Sequence, residues 1–249
     1  MGLHDVYLVD YRLGQNNGVD LVREARGAGS RAPIIMLTGE GTRTVDIEAM
    51  EAGASDFLEK GRTSASLLER SIRYAITEAA TTAALERALA QISAIERVGR
   101  ALAQDGPRPE TLDEAVSVVV DNFGMAAASL YLMDQDTLRL AASSGYADPR
   151  SSIDPRGGRL GRAIDAGRAQ VIPNVTIDPE SRAAGDPMEL CVPLVAEGAC
   201  VGIMNVAWDG SRSGDDAQRG ILLIGDRIAV ALALNRAIRG RSFTQMPLA

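Results

Sequence analysis

Three apolar runs near the start of the chain each end on a side chain that can do chemistry. Asp10 closes "VYLVD" (6–10), Thr38 closes "PIIMLT" (33–38) and Lys60 closes "SDFLEK" (55–60). They offer a carboxylate, a hydroxyl and an ammonium. In an open parallel sheet, binding groups gather beyond the carboxyl ends of the strands, so pairing of these runs would bring all three to one rim. There a carboxylate oxygen can attack phosphorus while the cation neutralises, and the hydroxyl orients, the transferred oxygens. Any one of the three, taken alone, reads as a strand meeting solvent. Three complementary types at three successive strand ends favour a shared site.

The segments between these runs must position them, and each has a helical stripe. Val19, Leu21, Val22 and Ala25 share a face of "GVDLVREARG" (18–27), and Val45, Ala49 and Ala52 a face of "TRTVDIEAMEAGA" (42–54). Leu68, Ile72 and Ala75 or Ile76 do the same in "ASLLERSIRYAI" (65–76). Short apolar runs alternating with helical patterns predict βα units and a parallel sheet.

Composition narrows the function. The chain has 249 residues, 46% of them hydrophobic, enough for one large or two ordinary domains. Its formal net charge is −7, with acids and bases interleaved, and no basic stripe invites nucleic acid. No apolar run reaches the ~18 residues of a membrane span, and the N-terminus has no signal-peptide pattern, so a cytoplasmic protein is expected. Its one histidine, His4, lies at the N-terminus, which argues against Ser-His-Asp catalysis and against a histidine-ligated metal or haem. Cys191 and Cys200 are too few for a zinc cluster and read as small buried side chains.

The stretch from His4 to about Ile76 resembles the C-terminal portion of a response-regulator receiver domain. The resemblance rests on "DYRLGQNNG", with Asp10, Leu13 and Gly18 at the phosphoacceptor spacing, and on Thr38 in "IIMLTG" at the Ser/Thr switch position. It rests equally on Lys60 in "AGASDFLEKG" at the family's lysine position, and on Gly53, where the family turns into its last strand. Gly14 and Gly61 depart from it, each standing where the family has proline. The resemblance implies that Asp10 is the phosphoacceptor, that Thr38 and Lys60 bind the phosphoryl group and switch, and that the partner is a histidine kinase or phosphotransfer protein.

A larger departure lies upstream. Receivers hold Mg²⁺ with an acidic pair at the end of their first strand, whereas only nine residues precede Asp10 here. Asp5 lies roughly 16 Å back at ~3.3 Å per residue, on the opposite strand face, and cannot share a metal with Asp10. Asp10 is therefore a partial magnesium site, and magnesium is expected only if the acidic pair is supplied. Without the family's first two strands, "VYLVD" becomes an apolar sheet edge. Three explanations stand: a misplaced start, which is preferred, an edge supplied by another copy, or a degenerate receiver kept as a docking surface.

From Ser66 to about Gln104 there is no proline, and Leu85, Leu89, Ile92, Ile95 and Leu102 recur at three- and four-residue spacing. This predicts a long amphipathic helix, either paired in a dimer or, in its later half, packed on the second domain. "DGPRP" (105–109) breaks it.

Residues beyond 110 have another rhythm. A helix "TLDEAVSVVVDNFG" precedes strand candidates at 127–134, 137–145, 169–173, 189–198 and 199–209, the last two joined at "EGA", and a helix closes the unit from 215. This half resembles a GAF domain, on "SLYLMDQDTLRLAASSG", on a helix read across "GGRLGRAIDAGRAQVIPNV", on "DPESR" and on "CVPLVAEGACVGIMNVAW". The resemblance implies a sensory or dimerising module whose ligand, if any, lies between the sheet and residues 145–188. A bilin-type cysteine with a nearby histidine, an axial haem histidine, the cyclic-nucleotide signature and the cysteine set of free methionine sulfoxide reductases are all missing. Asp154, Arg156, Arg159, Asp178 and Arg182 are the candidate lining of a polar pocket, with surface solvation an equal reading. Trp208 reads as a packing residue. Ile221, Leu222, Ile228, Ala231, Leu232, Leu234 and Ile238 cover more than one face of the last helix, which predicts a helix-bundle homodimer.

The expected fold is α/β, a partial flavodoxin-like receiver with a parallel sheet lacking its first two strands, plus an α+β GAF domain joined by a long helix. The expected boundaries are 1–77, 78–105 and 106–241, with a tail at 242–249. The expected function is two-component phosphorelay signalling with no catalytic domain. The alternatives are the regulatory front of a diguanylate cyclase, histidine kinase or phosphatase, and a phosphorylation-independent docking module.

Overall fold

The computed structural model describes residues 4–14, 16–39, 43–156, 158–172, 188–208, 215–239 and 246–247. They fall into two units, residues 1–87 and 88–249.

In the first unit, β1 (Tyr7–Asp10), β4 (Ile34–Thr38) and β5 (Asp56–Glu59) form a parallel sheet in the order β1-β4-β5. Helices α1 (Gly18–Gly27), α2 (Arg43–Glu51) and the start of α3 (Ala65–Asp105) follow the strands. A two-strand ribbon, β2 (Arg12–Leu13) with β3 (Asn16–Asn17), follows β1. The central strand is apolar on both faces, as a strand covered on both sides requires. Ile34 and Met36 join Val9, Val19, Val22 and Ala49 in one core, while Ile35 joins Leu58 and Ala75 in another. β1 is the sheet edge, as its sequence predicts, and Leu8 on it is 43% exposed.

Local chemistry sets the entry of α1. The Asn17 side chain accepts the Val19 N–H at 2.9 Å, an N-cap that satisfies one of the free donors at the helix start. A Cβ on Gly18 would lie 2.2 Å from the Asp10 carbonyl oxygen, so only glycine lets the helix begin against the end of β1. Behind α1, the Arg26 guanidinium donates to the carbonyls of Gly53, Ser30 and Ala32 at 2.8–3.0 Å. This ties together two turns that precede strands.

Helix α3 is continuous from Ala65 to Asp105. Its later half supplies Ala94, Val98 and Leu102 to the core of the second unit, with Ile95 packed against them. Intramolecular packing therefore holds for that half. Leu85, Leu89 and Ile92 are each more than half exposed.

The second unit is an antiparallel sheet in the order β8-β7-β6-β11-β10-β9. Its strands are β6 (Ala127–Asp134), β7 (Thr137–Ser144), β8 (Ser152–Ile153), β9 (Gln170–Ile172), β10 (Met188–Ala196) and β11 (Ala199–Trp208), with β12 (Met246–Pro247) pairing beside β11. One face carries Leu130, Leu190, Val192, Met204 and Val206 and packs on α3, α4 (Pro109–Phe123) and α6 (Asp215–Arg239). Trp208 lies in this core, a packing residue as its sequence context predicts. The other face, with Tyr131, Met133, Cys191 and Ile203, meets α5 (Gly158–Ala166) through Ala163 and Ile164. β10 and β11 meet at Glu197 (φ 52°) and Gly198 (φ 77°), two left-handed residues in succession, as a tight hairpin between twisted strands requires.

One reading needs correction. The sequence reads both a helix across 157–175 and a strand at 169–173; the helix ends at Ala166 and the strand is β9, from Gln170. Gly167 is left-handed at φ 60° and its N–H donates to the Ile164 carbonyl, a glycine stop that overrides the apolar pattern beyond it.

Candidate functional site

The C-terminal rim of the three-stranded sheet holds the expected trio. Asp10 pairs with Leu37 across β1 and β4, and Thr38 pairs with Glu59 across β4 and β5. The register therefore sets Asp10, Thr38 and Lys60 at three neighbouring strand ends. The Lys60 main-chain N–H donates to the Thr38 carbonyl at 2.8 Å, and that of Tyr11 to the Leu37 carbonyl at 2.8 Å. These bonds extend the ladder up to the site.

Lys60 Nζ lies 2.6 Å from Asp10 Oδ2, and the Arg12 main-chain N–H donates to Asp10 Oδ1 at 3.3 Å. The Lys60 hydrogen bond, helped by the N–H groups of Arg12 and Tyr11, holds the Asp10 carboxyl below its ordinary value. The carboxylate is thus ionised and open to solvent, a state in which it can act as a nucleophile. Thr38 is 1% exposed, and its hydroxyl has no hydrogen-bond partner among the described residues. A buried hydroxyl without a partner costs about 1–3 kcal/mol.

The donor set does not complete a magnesium site. Among the described residues no group of three His, Cys, Asp or Glu side chains converges, and Asp5 is exposed on the far part of the edge segment. Asp10 is one ligand of an incomplete set.

The candidate GAF pocket fares differently. Asp154 is exposed and accepts the Arg156 main-chain N–H at 2.9 Å. Arg156 is exposed and its guanidinium pairs with Asp136 at 3.0 Å. The structure places both on the surface and not in a pocket. Asp178 and Arg182 lie outside the described residues, as does the side chain of Arg159.

What sequence reasoning missed is a buried polar group on the α5 face of the GAF sheet. Ser129, Glu189 and Asn205 are each under 8% exposed. Asn205 Nδ2 donates to Glu189 Oε1, and Cys191 Sγ donates to Asn205 Oδ1 at 3.2 Å. The signal was available: a serine in "AASLYL", a glutamate opening "ELCVPL" and an asparagine inside "GIMNVAW" each interrupt an apolar strand.

Comparison with known proteins agrees with both geometries. Residues 2–72 match the response regulator receiver domain and residues 107–233 the GAF domain. The first part is 39% identical over 57 residues to the two-component response regulator PhoP of Pseudomonas aeruginosa, covering 23% of this chain and 25% of that protein. It is 39% identical over 69 residues to the transcriptional regulatory protein CusR of Escherichia coli, covering 28% of this chain and 30% of that protein. The chain thus spans about a quarter to a third of the curated relatives it matches. The GAF domain of a phosphoenolpyruvate-protein phosphotransferase from Coxiella burnetii superposes with a TM-score of 0.52 at 14% identity, covering 62% of this chain and 99% of that one. A putative GAF sensor protein from Burkholderia vietnamiensis gives 0.51 at 20%, covering 61% and 94%. These likenesses establish the fold of the second unit. With a match across 107–233, half of its length, the chain belongs to the GAF domain family, and ahead of that domain its residues 2–72 match the response regulator receiver domain.

Proposed function

We propose that this chain is a phosphorylation-controlled signalling module in which Asp10 accepts a phosphoryl group from a histidine kinase or phosphotransfer protein and the GAF half reads the result as a cytoplasmic homodimer. The observation that supports it most is the rim itself, an ionised carboxylate at 2.6 Å from an ammonium, with a neighbouring strand ending on a buried hydroxyl that has no partner among the described residues. An Asp10 oxygen forms the new O–P bond as the P–N bond to the donor imidazole breaks, leaving the electron pair on that nitrogen. Lys60 leaves its partner oxygen and neutralises the acyl phosphate. The Thr38 hydroxyl then gains the acceptor it lacks, drawing the end of β4 toward the site. Magnesium would need an acidic pair from outside the described residues, and no step here is assigned to it.

The dimer rests on exposed apolar stripes. Leu89 and Ile92 on α3, and Leu223, Val230 and Leu234 on α6, are all exposed. The two helices meet where a Cβ on Gly99 would touch the Arg227 guanidinium at 2.3 Å. A second copy would cover these exposed side chains. Light scattering should report a dimer, and Leu234→Glu a monomer.

The two matched domains are regulatory ones, and the chain is read here without a catalytic domain of its own. The docking reading is favoured by one observation, the incomplete acid set around Asp10. Intact-mass measurement after treatment with acetyl phosphate and Mg²⁺ decides between them, on this chain and on one extended upstream to restore the acidic pair. Gain of one phosphoryl group by the extended chain, lost in Asp10→Asn, supports the proposal. No gain in either chain leaves docking.

A further inference from the structure

Lys60 is the only lysine in the chain, and its side chain is 47% exposed. Water and rotamer freedom therefore compete with its 2.6 Å contact to Asp10. Gly61 follows it. The backbone there is not left-handed, and a Cβ would meet nothing within 4 Å, so neither conformation nor space calls for glycine. What Gly61 adds is backbone freedom, directly beside the residue whose ammonium must stay on Asp10.

Below Lys60, strand β5 is fixed. Phe57, Leu58 and Glu59 pair with Met36, Leu37 and Thr38, and the buried Ser71 hydroxyl of α3 donates to Asp56 at the start of the strand. The Lys60 main-chain N–H donates to the Thr38 carbonyl. The freedom that remains lies in the turn that follows. One side chain closes it: the Thr63 hydroxyl, half-buried, donates to the Glu59 carbonyl at 2.7 Å, alongside the Arg62 main-chain N–H at 3.0 Å. Capping of α3 does not account for this threonine, because Ser64 Oγ accepts the Leu67 N–H at 3.2 Å and serves the helix start. The Arg62 guanidinium reaches the Glu59 carboxylate only at 3.6 Å, from a side chain 82% exposed, and such pairs contribute little.

From this geometry we infer that Thr63 is a positioning residue for Lys60: its hydroxyl, by holding the Glu59 carbonyl, closes the turn across Gly61 and keeps the ammonium on the Asp10 carboxylate. It acts through the backbone and not on the reacting atoms. The inference rests on the reading of Asp10 as phosphoacceptor and deepens it, since the Thr63 hydrogen bond sets how often Lys60 is in place when a phosphoryl group arrives.

A chain labelled at the lysine ε-carbon gives one side-chain NMR signal, whose relaxation reads the order of Lys60 directly. Thr63→Val keeps the shape and removes the hydroxyl; it should raise the disordered fraction of Lys60 about three- to tenfold, the worth of one hydrogen bond. Thr63→Ser keeps the hydroxyl and should match the parent, as should Arg62→Ala. Adding Gly61→Ala to Thr63→Val should restore part of the order by removing backbone freedom. In the chain extended upstream, phosphoryl uptake from acetyl phosphate should slow by the same factor in Thr63→Val and recover in Thr63→Ser. An unchanged lysine signal in Thr63→Val overturns the inference even if the urea midpoint falls, which is all that a merely structural threonine would cause. So does a signal in Thr63→Ser or Arg62→Ala as loose as in Thr63→Val, or a loosened Lys60 with an unchanged uptake rate. Thr63→Ala serves if Thr63→Val fails to fold. If the extended chain takes up no phosphoryl group, the phosphoacceptor reading fails by itself, and the lysine signal still decides whether Thr63 holds Lys60.

Discussion

The two units carry their polar groups in opposite ways. At the receiver rim, Asp10 and Lys60 stand at strand ends in solvent, and their pairing is set by where three strands stop. On the GAF sheet, Ser129, Glu189 and Asn205 sit within strands, shielded from water and matched across the ladder. The difference teaches where function and stability are coupled. Groups at a rim can be exchanged with small cost to the fold, because water satisfies what is left behind. Groups inside a strand cannot, because a lost partner leaves a buried polar atom with no substitute.

The largest expected effect is on chemistry alone. In a chain that accepts phosphate, Asp10→Asn should abolish incorporation by intact mass while leaving thermal unfolding within a degree of the parent. A large fall in stability would break the contrast. Next come two glycines, one per unit. Gly18→Ala drives a Cβ into the Asp10 carbonyl at 2.2 Å, and Gly220→Ala drives one into the Phe123 ring at 2.2 Å. Overpacking of this kind costs about 1–3 kcal/mol. Denaturant unfolding with probes in each unit should show the first lowering only the receiver transition and the second only the GAF transition.

A smaller loss is expected for Asn205→Ala, which takes a donor from the Glu189 carboxylate and an acceptor from the Cys191 thiol. It should destabilise the GAF unit by about 1–3 kcal/mol, measured by urea unfolding, and an unchanged midpoint would mean water reaches the cluster. The smallest effect belongs to the exposed pair. Lys60 holds the folded Asp10 value below the ordinary 3.8, so its contribution is present above that pH and fades as pH falls through the lower folded value. Lys60→Ala should move the carboxyl titration, followed by carbon NMR, back up toward the ordinary range. Salt should shrink the difference, since the pair is exposed.

Strand ends are legible because they are punctuated. Asp10, Thr38 and Lys60 each close an apolar run, and Asn17, Gly18 and Gly53 mark the turns, so spacing alone leads to the rim. The GAF hairpin at Glu197 and Gly198 is legible for the same reason. The buried cluster is not, because its meaning lies in cross-strand register. Nothing in one sequence says that Asn205 faces both Ser129 and Cys191 until the strands are laid side by side. For Asp154 and Arg156 the sequence left pocket lining and surface solvation as equal readings, because a charged side chain near a loop fits both, and both are exposed. The stretch after Gly167 shows a third limit: its apolar residues fit a helix and a strand alike, and the left-handed backbone of Gly167 decides for the strand.

The missing Cβ of Gly18 bears on how this protein can drift over generations. Helix α1 cannot start against β1 without that glycine, so selection for folding alone preserves it, whatever the fate of the carboxylate beside it. Asp10 is held by one exposed ion pair and weak main-chain N–H contacts, and a lineage that no longer needed the phosphoryl group would lose it at almost no cost. Of the two residues, the glycine testifies only to a folded chain, and the aspartate is the witness to use.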